Sequence, residues 1–308
     1  MVTILGAGGS IADELVSLLA AKGIPLRLVS RHPRPLAGAE LHPADLTDRE
    51  QTVRAVAGSK VVHLLAGLKY DLATWQEAWP RIMTNTIEAC KRAEARLVFF
   101  DNVYMYGKVS GPMTETTPYT PCSKKGEVRA RIARMLVEQA DAGNLTAIIA
   151  RSADFYGPGR VNGAPNKLVL EPLAKGRKPS WLVDATVPHS LTFTPDAARG
   201  VAMLAERDTT WNQVWHLPTA PDPPTGEQFV AMAAREFGAT PGIRVLGRPL
   251  LRVVGWFNIE VRESYEMLYQ NDSPYLFDSS KFSREFGFAG TAYQDGIHLA
   301  ADSFKPVS

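Results

Sequence analysis

The sequence is poor in cysteine: of 308 residues only Cys90 and Cys122 carry thiols. Two thiols build neither a disulfide framework nor a cysteine metal cluster, and the expected compartment is a reducing cytoplasm. Charge imbalance is lacking too. Lys and Arg number 34 against 32 Asp and Glu, a net +2, which gives no argument for nucleic acid or a membrane as partner. No apolar run reaches the roughly 18 residues of a membrane span. The N-terminus lacks the charged-then-apolar plan of a signal peptide. Neither an internal repeat nor a low-complexity tract is present. What remains is 45% hydrophobic and 21% charged, an ordinary soluble globular composition, with length for one or two domains.

The chain is organised around its first dozen residues. Met1 to Leu5 is a short β-favouring run, Gly6-Ala7-Gly8-Gly9-Ser10 follows, and Ile11, Leu15, Leu18 and Leu19 then repeat at helical spacing. Strand, glycine-rich turn and helix form the context a dinucleotide fingerprint needs. Gly6 permits the tight turn, Gly8 or Gly9 lets backbone approach a pyrophosphate, and Ala12 is small enough for close helix–strand packing. The helix dipole and its free N–H groups favour phosphate. A glycine turn that binds nothing is the plainer alternative.

Further along, strands are expected at Leu26–Ser30, Lys60–Gly67, Arg96–Asp101, Leu145–Arg151 and Gln213–Leu217. Helices are expected at Thr74–Ala95, Gly126–Ala142, Pro195–Glu206 and Thr225–Phe237. Such alternation predicts an α/β, doubly wound parallel sheet with ligands at the carboxyl ends of its strands. Residues 1–157 with about 188–217 would form this Rossmann-type domain. Residues 158–187 and 218–308 would form a small α+β substrate lobe. The lobe's aromatics, among them Trp256, Phe257, Tyr265, Tyr269, Tyr275 and Phe277, are expected as core. Lys167, Lys175, Arg177 and Lys178 make a loose basic stretch, as a solvated loop would.

Several stretches together resemble the extended short-chain dehydrogenase/reductase superfamily, the NAD-dependent epimerase/dehydratase group. Gly6 to Ala12 is similar to its TGxxGxxG turn, Asp45-Leu46 to the pair beside the adenine, and Leu64-Leu65-Ala66-Gly67 to its fourth-strand signature. Asp101 to Gly107 is similar to SSxxVYG, Arg151 to Gly159 to RxxxxYGPG, and Asp278-Ser279-Ser280-Lys281 to a late DxSK element. The resemblance implies a hydride-transferring enzyme acting on a carbonyl or alcohol of a small polar or sugar-like substrate. It implies cofactor contacts from Gly6, Gly8, Gly9, Ser10, Ile11, Ser30, Arg31, Asp45, Leu46, Leu65, Ala66, Gly67, Lys125, Ser152 and Asp154.

The catalytic positions depart from the family pattern. Asn102 stands where a Ser or Thr is usual, and counting from Pro121 sets Lys125 at the tyrosine and Arg129 at the lysine of YxxxK. The spacing of four keeps both on one helix face. Arginine can still donate to ribose hydroxyls. Lysine can act as acid or base only where its surroundings tune it; otherwise Lys125 is a solvated lysine or an anion ligand. Tyr104 and Tyr106, with Tyr156, are the reserve acid candidates. A protein that binds NADP(H) without turnover, as a redox sensor or interaction module, is the alternative.

Strand two ends in Ser30-Arg31-His32-Pro33-Arg34, without the carboxylate of an NAD site. Arg31, helped by Arg34, would suit a 2′-phosphate, so NADP is favoured over NAD. His63 is expected in the core, and His189 is a candidate pocket residue. A homodimer would use Thr84–Ala95 and Val128–Gln139, although these amphipathic stretches suit packing on the sheet equally well.

Overall fold

The computed structural model describes residues 1–305. Strands β1 (Val2–Leu5), β2 (Leu26–Ser30), β3 (Glu40–Pro43), β4 (Val61–Leu64), β5 (Arg96–Asp101) and β6 (Ala147–Arg151) are joined by helices α1 (Ser10–Ala21), α2 (Arg49–Val56), α3 (Leu72–Ala93) and α4 (Lys124–Asp141). The next strands are β7 (Asp154–Tyr156), β8 (Ser180–Leu182), β9 (Leu191–Phe193), β10 (Gln213–His216) and β11 (Arg244–Leu246). The later helices are α5 (Glu171–Ala174), α6 (Thr194–Glu206), α7 (Gly226–Glu236), α8 (Arg248–Phe257), α9 (Ile259–Ser264), α10 (Ser280–Phe286) and α11 (Tyr293–Asp302). No described helix is long and apolar enough to cross a membrane.

The chain divides into two compact units. The first holds residues 1–107, 119–151 and 197–217. Its seven strands run in the order β10-β6-β5-β4-β1-β2-β3, all parallel. Strands buried on both faces read as continuous apolar runs, and β4, β5 and β6 do so. The strand order reverses beside β1, and its carboxyl end is where such sheets bind ligands. His63 is an apolar strand's one polar side chain; burial pushes its pKa down to about 4, so it stays neutral. Helices α3 and α4 turn their apolar faces to the core through Trp75, Trp79, Met83, Ile132 and Leu136. Their outer groove is lined mainly by polar side chains, including Thr84, Glu88, Lys91, Arg92, Glu138 and Gln139.

The second unit holds residues 108–118, 152–196 and 218–305. Residues 152–157 and 188–196 fall here because β7 pairs with β9 in a separate two-stranded sheet. A second small sheet pairs β11 with β8. Tyr156, Trp181, Phe193, Phe229 and Tyr293 pack into this unit's core. Tyr275 and Phe277 are buried, as expected of lobe aromatics. Trp256 and Phe257 are not: they lie 71% and 87% exposed.

Candidate active site

The sheet's first turn is built by steric necessity. Gly6 has φ +90°, and a Cβ there would sit 2.4 Å from the Cα of Ala66. Only glycine lets the β1 turn pass against the Leu65-Ala66 backbone. Gly6 and Ala7 donate to the Val29 carbonyl at 2.8 and 3.1 Å, and Leu65 donates to Leu5 at 2.8 Å. The turn, the end of β2 and the end of β4 are thereby brought together. Gly8 has φ +102°, and Gly9 has open space where a side chain would begin.

Gly9 is the N-cap of α1 and offers no side-chain acceptor. The neighbouring α2, α3 and α4 are capped by Asp48, Asp71 and Ser123. The first N–H groups of α1 are thus left to an external acceptor beside bare backbone. This arrangement fits a pyrophosphate, with Gly8, Gly9, Ser10 and Ile11 as the residues that would hold it.

Around this turn the other expected cofactor residues differ in availability. Ser30 is half-buried, and its carbonyl accepts from Ala44 at 3.0 Å. Asp45 Oδ1 accepts from the Thr47 amide and hydroxyl at 2.9 and 2.8 Å, closing an Asx turn. The Leu46 side chain lies in the core, and its carbonyl takes a hydrogen bond from Asn85 at 3.0 Å. Gly67 is exposed, and Arg31 is exposed. It is Arg34 that leans over the turn, with Nη2 3.5 Å from the Gly8 carbonyl and 3.3 Å from Asp13. Ser152 and Asp154 belong to the second unit. There Ser152 donates to the Ala153 carbonyl at 2.9 Å, and Asp154 lies 3.1 Å from His189 Nε2. His189 is buried and stacks on Tyr275 at 4.4 Å.

The start of α4 carries the altered catalytic positions. Ser123 caps the Gly126 amide at 3.1 Å. A Cβ on Gly126 would meet the Tyr104 carbonyl at 2.6 Å, so glycine allows α4 to press against the 3₁₀ turn Tyr104–Tyr106. Lys125 and Arg129 are both buried, at 1% and 4% exposure. The solvated-lysine reading of Lys125 is therefore excluded. Its Nζ lies 4.9 Å from the centre of the Tyr70 ring, a cation–π contact. Asp71, next in sequence, is held below the usual carboxylate range by hydrogen bonds from Thr74, with the charges of Lys69 and Lys125 adding to the shift. A cation in the first turn opposes the helix dipole, so this lysine sits where local rules disfavour it.

Arg129 has a different environment. Nε donates to Asp101 Oδ1 at 2.8 Å, and Nη2 bonds the same oxygen. Its guanidinium lies 4.5 Å from the Trp79 ring centre and 5.1 Å from that of Phe99. Asp101 also faces Arg151, its direct partner across β5 and β6, with Nε 3.4 Å from Oδ2. Asp101 and Arg151 are fully buried. Arg151 donates from Nη1 to the Tyr106 hydroxyl at 2.7 Å and from Nη2 to that of Tyr119. With its oxygen so occupied, the Tyr106 O–H is directed at His216 Nε2, 2.8 Å away. One carboxylate, two guanidiniums, two phenols and an imidazole thus lock the ends of β5, β6 and β10. Asp101, Tyr119 and His216 were not singled out from the sequence as site residues. The usable signal was opposite charge closing two adjacent apolar strands, RLVFFD and AIIAR.

The reserve tyrosines are structural. Burial pushes the Tyr106 phenol up to about 12, against the pull of Arg151. Tyr156 is core, its phenol likewise raised by burial, and its hydroxyl meets no hydrogen-bond partner among the described residues. Tyr104 stacks on Trp75, with ring centres 6.2 Å apart. Asn102 spends Oδ1 on the Tyr104 amide at 3.1 Å and keeps Nδ2 as a donor.

A family model describing the NAD dependent epimerase/dehydratase family matches residues 2–215. The chain belongs to this family. Membership makes it an NAD(P)-dependent enzyme of the epimerase/dehydratase group, on the Rossmann-type scaffold described above. Among solved structures, gox2253 superposes with a TM-score of 0.80 at 21% identity, over 99% of this chain and 97% of that one. The UDP-glucose 4-epimerase of Thermus thermophilus, in complex with NAD, gives 0.79 at 18%, over 100% and 99%. MoeE5 in complex with UDP-glucuronic acid and NAD gives 0.78 at 22%, over 98% of each chain. At these identities the likeness is one of fold. No curated protein matches the chain in sequence.

Proposed function

We propose that this family member is an NADP-preferring oxidoreductase or epimerase acting on a carbonyl or alcohol of a sugar-like substrate, with Lys125 as its proton-carrying group. The observation that carries the reading is the buried Lys125 ammonium at the family's tyrosine position. The solved neighbours named with NAD and UDP-sugars support the substrate class.

The backbone amides of Gly8, Gly9, Ser10 and Ile11 would bind the pyrophosphate. The nicotinamide, when bound, supplies the hydride acceptor or donor. Reduction at a carbonyl carbon also needs a proton at its oxygen. Lys125 Nζ would donate a hydrogen bond to that oxygen, polarise the carbonyl, and hand over a proton as negative charge develops. In the oxidative direction the amine accepts the hydroxyl proton. Asn102 Nδ2 would orient the same oxygen as a donor. Arg129 is a positioning residue: two of its nitrogens are on Asp101, and its part is to hold α4 against β5.

Cofactor preference is assigned to Arg34 with Arg31, because both flank the end of β2 and no carboxylate stands there. Titration should give tighter binding of NADP(H) than of NAD(H), and Arg34→Ala with Arg31→Ala should remove the difference. Losing charge-assisted contacts to a 2′-phosphate of about 1.5–3 kcal/mol corresponds to roughly tenfold or more in Kd. Equal affinities in the parent chain would contradict the assignment.

Turnover is tested by mixing the protein with NADPH and a panel of carbonyl compounds that includes nucleotide-activated keto-sugars, and following loss of the reduced-nicotinamide absorbance. Consumption with at least one sugar-like carbonyl is expected. Tight NADPH binding with no consumption across the panel would instead favour the sensor reading. The confinement of Arg129 to Asp101, away from a ribose-binding role, is the observation on that side.

A further inference from the structure

Helix α8 leaves its apolar side uncovered. Leu250, Val253, Val254 and Phe257 fall at successive helical spacings of three and four, and all are exposed, as are Trp256 and Ile259. Only Leu251 and Gly255 of this helix are buried. An aromatic pair as open as Trp256 and Phe257, continuous with an aliphatic stripe, marks an interaction surface.

The charge around the stripe has one sign. From Arg244 to Phe257 the chain carries Arg244, Arg248 and Arg252 and no carboxylate. Strand β11, which leads into α8, pairs with β8, and Arg177 and Lys178 stand exposed just before β8. The acids nearby are partly spent: Asp272 holds Arg248 at 2.7 Å, and Glu260 lies 3.8 Å from Lys167. Arg244 and Arg252 remain exposed beside the aromatics. A second copy of the chain meeting this face across a two-fold axis would set like charge against like. An anionic surface would not. A helix with arginines along one side and Trp, Phe and Leu on the other has the composition of an interfacial helix.

We propose that α8 seats the protein on an anionic lipid surface, with Trp256 and Phe257 entering the headgroup region and Arg244 and Arg252 meeting lipid phosphates and carboxylates. This is a peripheral contact, compatible with the lack of a spanning helix among the described residues.

The test is flotation of the full chain with phosphatidylcholine vesicles, with and without phosphatidylserine. Binding is expected only with phosphatidylserine, and it should fall as salt is raised. Trp256→Ser with Phe257→Ser should cut the partition coefficient about tenfold or more. Each of Arg244→Ala and Arg252→Ala should cut it about fivefold. All four side chains are exposed, so unchanged circular dichroism and unchanged NADPH binding confirm that the variants are folded. Three results would overturn the proposal. One is equal or absent binding to both vesicle types, and a second is full binding by the aromatic double variant. The third is a concentration-dependent dimer that Phe257→Ser dissolves, which would assign the face to a second copy.

Discussion

Asp101→Asn is expected to lower the folding stability by about 3–5 kcal/mol, the cost of leaving a buried charge without its partner. The carboxylate is fully buried and is the counter-charge for both Arg129 and Arg151. Asparagine keeps the volume and can still accept from the Asn102 amide, which bonds Oδ1 at 2.9 Å. It cannot offset two guanidiniums. Thermal unfolding should shift down by about 5 °C or more for a chain of this size. The size of the loss alone would not identify the mechanism, so a second variant matters. Arg129→Met in the Asp101→Asn background removes one uncompensated cation and should recover part of the loss. A loss for Asp101→Asn below about 1 kcal/mol would show that the pair carries no more than a surface ion pair does.

Lys125→Met should lower kcat by about 10²–10⁴-fold, the usual contribution of a positioned acid/base. Methionine keeps the length and the contact with the Tyr70 ring but has no proton to give. NADPH affinity should stay within a few-fold, because the pyrophosphate cradle is the α1 turn and not α4. The split between kcat and cofactor binding separates a proton-transfer role from a cofactor-anchoring one. A residual rate equal to the parent's would clear Lys125 of chemistry while leaving the family assignment in place.

Much of this was legible in the chain before its structure. The β1 run, the glycine turn and the α1 periodicity declared the dinucleotide fold, because strand and helix periods are local properties. The spacing of Lys125 and Arg129 declared a shared helix face. Their burial was not legible: it depends on Gly126 meeting the Tyr104 carbonyl, a contact between segments about 20 residues apart. The partner of Arg129 was equally hidden, since the choice of Asp101 is made by the register of β5 and by the angle at which α4 crosses it. Arg34 rather than Arg31 at the glycine turn follows from the path of a loop that no periodicity describes. Strands β7 and β9 were expected with the Rossmann domain, but three-residue strands carry too little pattern to say which sheet they join. Trp256 and Phe257 showed the opposite failure. Aromatics are read as core by default, and only the structure reveals that α8 turns them outward.

The central claim is a nicotinamide dinucleotide held by the β1–α1 turn with Lys125 as the proton carrier. It is tested most directly by a crystal structure of the chain grown with NADP(H) and a substrate analogue. The account predicts the pyrophosphate on the amides of Gly8 to Ile11. It also predicts Lys125 Nζ within hydrogen-bond reach of the analogue oxygen next to the nicotinamide C4. A tyrosine hydroxyl in that place, with Lys125 still turned to the Tyr70 ring, would contradict it.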